Sequence, residues 1–286
     1  MKLPFTKMHG AGNDFVVLDG LARALPPIEP LAQRLCDRHF GIGADQLLVV
    51  RAARSADVAD FRMEIFNADG SQVEMCANGI RAFYKYLRDH GHTDRDAVRV
   101  ETLSGVVRPR WAGTDRVTVD MGRPVLAPAK IPTRLGTGDG PVLDVPLEVA
   151  GERVRVSCVS MGNPHAVVYV DDPERSPVET LGPRIERHEA FPNRVNVEFV
   201  RVLAPDRIQQ RTWERGTGET LACGSGACAV AVVSMLRGLV ARRVEIALRG
   251  GVLEITWVDD AAAVEMTGPA AEVFRGEIEI GGAEGP

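Results

Sequence analysis

Two cysteines stand in small, glycine-rich surroundings: Cys76 in Met-Cys-Ala-Asn-Gly and Cys223 in Ala-Cys-Gly-Ser-Gly. A helical pattern follows each. Ile80, Phe83, Tyr84 and Leu87 recur at i, i+3, i+4 and i+7, and Ala227 to Leu236 is apolar on all sides apart from Ser234, the mark of a helix buried on every face. The spacing predicts a thiol at the N-terminus of a buried helix, twice. A helix N-terminus carries about half an elementary positive charge and unpaired N–H groups. Both favour a thiolate and both can hold a carboxylate. Gly79, Gly224 and Gly226 let the backbone approach a ligand closely. Two such thiols on opposite sides of one ligand suit the inversion of a stereocentre without a cofactor: one removes a proton, the other delivers one, and the roles exchange in reverse. The N–H groups would stabilise charge developing on a carboxylate next to the reacting carbon.

The elements that must position these thiols also occur twice. Gly12-Asn13 opens an apolar strand ending at Asp19, and Gly162-Asn163 opens another, ending at Asp171, 150 residues later. Gln46 and Asn196 each precede an apolar strand and are again 150 apart. Cys76 and Cys223 are 147 apart, with Asn67 and Glu214 nine residues before them. Hairpins ending at Trp111 and Trp257 are 146 apart, and Met121 to Pro124 matches Met266 to Pro269 at 145. A slowly drifting offset is what small loop deletions produce, so the chain reads as two copies of one domain. The first is 1–123, with the C-terminal strand 270–286 returning to it; the second is 124–269, joined through the proline-rich stretch Pro124 to Pro146. Period-two alternation in Val98–Leu103, Val117–Asp120, Val154–Val159 and Glu277–Ile280 predicts half-buried strands, and Gly250-Gly251 a hairpin turn. Helices read as few. The predicted class is α/β of the α+β type, each copy a curved, mainly antiparallel sheet or barrel around a central helix.

Composition excludes several other functions. The chain has 286 residues, 45% hydrophobic and 26% charged, with net charge −5 and 5% aromatics. That balance argues against nucleic-acid and membrane-surface partners. No apolar run is long enough to span a bilayer, and the N-terminus has no signal-peptide pattern, so the expected location is the cytoplasm. Cys36, Cys158 and Cys228 lie within apolar patterns and have no partner in the repeat. Five cysteines without a CxxC make neither a disulfide framework nor a zinc site, and no metal is expected. His90-Gly-His92 reads as a solvent loop. Gly224 to Ala229 matches a dinucleotide fingerprint, but charged, glycine-rich residues precede it where a buried strand is required.

At these residues the sequence resembles the diaminopimelate epimerases, amino-acid epimerases that work without pyridoxal phosphate. The matching segments are 8–19, 41–48, 66–83, 161–172, 191–200 and 213–229, among them MHGAGNDFVVLD, MCANG and WERGTGETLACGSGACA. The resemblance implies two similar α/β halves with the active site in the cleft between them. It implies interconversion of LL- and meso-2,6-diaminopimelate with no cofactor, in lysine and peptidoglycan-precursor synthesis. Cys76 and Cys223 would be the acid/base pair. Asn13, Gln46, Asn67, Asn163, Asn196, Glu214 and Arg215 would line the substrate pocket. Ala77, Asn78, Gly224 and Ser225 would bind the reacting carboxylate, and His165 and Glu214 would tune the thiols. By the same analogy the enzyme would be a homodimer. Ala77 stands where the family pattern has glycine, which is tolerable at negative φ. The alternative is a proline or hydroxyproline racemase, in which histidine typically replaces the residue at Asn78. Phenazine-type isomerases of the same fold lack the cysteine pair.

Overall fold

The computed structural model describes residues 1–281. By its packing the chain divides into two compact units, Met1–Val119 with Gly268–Pro286, and Asp120–Thr267. The first unit runs β1 (Lys2–Gly10), β2 (Asn13–Asp19), α1 (Ile28–Cys36), β3 (Gln46–Ala52), β4 (Phe61–Asn67), α2 (Ala77–Asp89), β5 (Val100–Thr102), β6 (Gly105–Val107), β7 (Arg110–Trp111) and β8 (Arg116–Asp120). The second runs β9 (Val142–Val149), β10 (Glu152–Ser160), β11 (Pro164–Tyr169), α3 (Val178–Glu186), β12 (Asn196–Ala204), β13 (Arg207–Glu214), β14 (Gly218–Thr220), α4 (Gly224–Leu236), β15 (Arg243–Leu248), β16 (Gly251–Thr256) and β17 (Glu265–Pro269). The chain then returns to the first unit as β18 (Ala271–Glu279), which lies antiparallel along β1 from Lys2 opposite Glu279 to His9 opposite Ala271.

Strand order is β18-β1-β2-β3-β4-β5-β6 in the first unit and β9-β10-β11-β12-β13-β15-β16-β17 in the second, with β14 beside β13. The repeat extends to register: Phe15 is opposite Gln46 and His165 opposite Asn196. Most neighbours are antiparallel. β2 and β3, β4 and β5, β11 and β12, and β13 and β15 are parallel, because a helix crosses over between the members of each pair. Two of those helices, α1 and α3, are absent from the sequence-based expectation of a central helix alone. They are nine residues each and 150 residues apart. They cover the sheet face opposite to α2 and α4, so Phe15–Leu18 and Leu47–Val50 are buried on both faces. That is why these strands read as continuous apolar runs.

The His90–His92 segment is not the solvent loop expected. Nε2 of His90 lies 3.1 Å from Glu272 and Nε2 of His92 3.0 Å from Asp19. Both rings stack on Tyr86, at 3.9 and 6.0 Å between centroids. The segment ties the end of α2 to β2 and β18.

Candidate active site

In the first unit Cys76 is the N-cap of α2, and its sulfur accepts the Gly79 N–H at 3.4 Å. The strand-to-strand turn before β2 passes through Gly12 at φ 87°, a conformation that favours glycine, and delivers Asn13 beside the helix. Its Oδ1 lies 3.6 Å from Cys76 Sγ and accepts from Asn78 Nδ2 at 3.3 Å. Its amide nitrogen donates to Asp45 at 2.8 Å. Asn78 is held in turn by the fully buried Arg81, whose Nη2 donates to Oδ1 at 2.9 Å. Ala77 opens α2 with an ordinary negative φ, so its methyl group is accommodated. Gln46 and Asn67 are opposite each other on β3 and β4. Gln46 Nε2 donates to Asn67 Oδ1 at 3.0 Å, and Gln46 Oε1 is buried without a protein partner.

Behind Asn13, Asp14 receives hydrogen bonds from Arg38 and Lys7. Burial would raise this carboxyl, but those two cations outweigh it and hold its pKa down at about 2.

The second unit repeats the thiol. Cys223 caps α4, and Sγ accepts the Gly226 N–H at 3.4 Å. Ser225 Oγ lies 3.6 Å from the same sulfur and accepts from Asn163 Nδ2 at 3.3 Å. Asn163 follows Gly162, whose φ is 91°. His165 is completely buried, with Nε2 2.9 Å from Asn163 Oδ1 and Nδ1 2.7 Å from Glu198 Oε1. Glu198 was absent from the sequence-based candidates. Glu214 accepts from Thr220 at 2.5 Å. Burial raises the Glu214 carboxyl above its ordinary value. Burial, then the Glu214 and Glu198 carboxylates, push the Cys223 thiol well above its ordinary value, so this cysteine rests protonated.

Asn196 is engaged by backbone at both ends of its amide, donating to Pro164 O at 2.9 Å and accepting from Arg215 N at 2.9 Å. It therefore holds the turn that carries Arg215. The exposed Arg215 guanidinium donates to Asn193 O at 3.0 Å. Gly224 is the first residue of α4. The three remaining cysteines are buried; burial pushes Cys36 up to about 12.

A model of the family described as diaminopimelate epimerase matches residues 5–127 and 157–273. A diaminopimelate epimerase of Herminiimonas arsenicoxydans is 49% identical over 98% of this chain and 100% of its own length. One of Burkholderia ambifaria is 51% identical over 98% and 99%. Among solved structures, a probable proline racemase from Agrobacterium radiobacter shares the fold at TM-score 0.69 and 17% identity, covering 99% of this chain and 94% of that one. A phenazine biosynthesis protein of Bacillus anthracis does so at 0.69 and 14%, covering 98% and 100%. Identity near one half along almost the full length separates the first group from the second, which shares the fold alone. The chain belongs to the diaminopimelate epimerase family.

Proposed function

We propose that the chain interconverts LL- and meso-2,6-diaminopimelate by two-thiol proton transfer, with no cofactor, as a cytoplasmic homodimer in lysine and peptidoglycan-precursor synthesis. The observation that carries this reading is the paired N-cap: in each unit a cysteine sulfur receives a backbone N–H at 3.4 Å from the first turn of a buried helix. Such a cap stabilises a thiolate once formed and leaves further N–H groups for an anion. Ala77, Asn78, Gly224 and Ser225 would hold the reacting carboxylate and spread the charge that builds as the α-proton leaves. Cys223, resting as a thiol, would deliver a proton, and Glu214 would take that proton when the thiol must act as a base. Asn13, Gln46, Asn67, Asn163 and Asn196 would line the pocket with neutral donors and acceptors. Arg215 would offer a fork to the distal carboxylate.

Incubation in deuterium oxide with diaminopimelate, proline and trans-4-hydroxyproline tests the assignment. Deuterium should enter the α-position of diaminopimelate as the LL and meso forms equilibrate, and the cyclic amino acids should remain unlabelled. Labelling of proline in place of diaminopimelate would reverse the assignment. Sedimentation of the purified chain checks the dimer.

A further inference from the structure

A buried polar cluster underlies the first turn of α4, where the matching positions beneath α2 are apolar. His165, Glu198, Gln210 and Thr212 are 0 to 2% exposed. The positions that the repeat matches to them are Phe15, Leu48, Met63 and Ile65, all buried and apolar. The surroundings of the two matched glycines confirm the match of Glu198 to Leu48. A methyl group on Gly79 would meet Ile65 Cδ1 at 3.2 Å and Leu48 Cδ2 at 3.4 Å. One on Gly226 would meet Glu198 Oε1 at 2.8 Å and Gln210 Nε2 at 3.2 Å. So one copy of the fold is stable with leucine where the other buries a carboxyl group, a costly choice that packing does not require. Glu198 Oε2 has no protein partner.

The remaining oxygen begins a chain of contacts. Glu198 Oε1 is 2.7 Å from His165 Nδ1, His165 Nε2 is 2.9 Å from Asn163 Oδ1, Asn163 Nδ2 is 3.3 Å from Ser225 Oγ, and Ser225 Oγ is 3.6 Å from Cys223 Sγ. An amide oxygen only accepts, so Nε2 must carry a proton. Glu198 Oε1, at the other ring nitrogen, holds the imidazole so that Nε2–H faces Asn163 Oδ1. Asn163 is then fixed with its NH2 on Ser225, and the single hydroxyl proton of Ser225 is left to point at the sulfur. The titratable groups facing Cys223 are thus Glu214 directly and the Glu198–His165 pair through this chain.

We propose that Glu198 is a positioning residue for Cys223: through His165, Asn163 and Ser225 it turns a hydroxyl proton toward that thiolate, and it makes the two N-cap thiols unequal. The proposal rests on Cys223 being a proton carrier, as read above.

Glu198→Gln and Glu198→Leu test it. Both remove the carboxyl, but a glutamine amide can still hydrogen-bond Nδ1 and hold the ring against Asn163, whereas leucine, the residue at the matching place in the first copy, cannot. ¹⁵N-histidine spectra of the free protein should show a slowly exchanging Nε2 proton on His165 in wild type and Glu198→Gln, and a rapidly exchanging one in Glu198→Leu. Exchange of the α-proton with deuterium is then timed within one turnover from each isomer. Cys223→Ala identifies the isomer that depends on this thiol. Exchange from that isomer should fall about tenfold between Glu198→Gln and Glu198→Leu, with the other isomer unchanged within about twofold, the scale of one hydrogen bond to a charged group. Glu198→Met, which keeps the reach of the side chain without a polar end, should show the same one-sided loss, and it decides the matter if Glu198→Leu does not fold. Equal losses for both isomers, or none for either, would overturn the proposal. Failure of wild type to exchange either isomer would instead overturn the proposed function, because the histidine spectra need no substrate.

Discussion

Cys223 is protonated at rest because its surroundings are built against charge, and yet its sulfur receives a helix N–H that favours charge. Opposing influences of that kind suit a group that must both hold and release a proton. Cys76→Ala and Cys223→Ala should each lower epimerisation by at least about 10², the contribution of a positioned acid or base, with circular dichroism unchanged. Wild-type turnover in either would remove the two-thiol mechanism. Gly226→Ala should lower the melting temperature and activity together, since its methyl group would sit 2.8 Å from Glu198 Oε1 and 3.2 Å from the sulfur. Overpacking of this sort costs about 1–3 kcal/mol, and calorimetry reads it. Arg215→Met should reduce kcat/KM for diaminopimelate, and wild type should turn over lysine, which lacks the distal carboxylate, very weakly. Equal rates on the two amino acids would remove Arg215 from that role. Asp14 gives a pH dependence with a definite sign. Its folded pKa, about 2, lies below its ordinary value of 3.8, so its contribution to stability is present above that ordinary value and fades as pH falls toward 2. The melting-temperature gap between wild type and Asp14→Asn should therefore be wide at pH 5 and nearly closed at pH 2.

At the level of elements, α3 supports the site without touching a thiol. Glu186, its last residue, is 2% exposed and accepts from Trp213 Nε1 at 2.8 Å and from Gly216 N at 3.1 Å. It pins the end of β13 and the turn beyond it, and hence Glu214 and Arg215. Glu186→Ala would remove two part-buried hydrogen bonds, together worth about 1–3 kcal/mol. It should lower the melting temperature and raise KM for diaminopimelate more than it lowers kcat; an unchanged KM would separate α3 from the site. The matching residue of α1 is Cys36, a buried thiol with no such task. Neither α1 nor α3 was legible in the sequence, because nine residues with prolines inside or beside them give a weak periodic signal. The thiols and Asn13 and Asn163 were legible because glycines isolate them from the strand patterns. Glu198 was not. In Asn-Val-Glu-Phe-Val, alternation assigns glutamate to solvent, but α4 covers that face and the residue is fully buried.

For the molecule as a whole, the duplication was legible in the sequence, whereas the order of assembly follows from a strand pairing between the two ends of the chain. β18 pairs with β1 along nearly its full length, and Met1 N donates to Ile280 O at 2.8 Å. The first unit is therefore discontinuous in sequence, while the second is one unbroken segment, Asp120–Thr267. During synthesis the ribosome makes every residue of the second unit before it makes β18. Domains usually mature in the order in which they are translated; here the later half can finish first, while β1 waits with one edge unpaired. An unpaired strand edge invites pairing with other chains. Nascent chains stalled after residue 269 should accordingly resist protease within 120–267 and be cut within 1–119. The exposed edge of β1 makes this the interval in which a trailing chaperone would matter most.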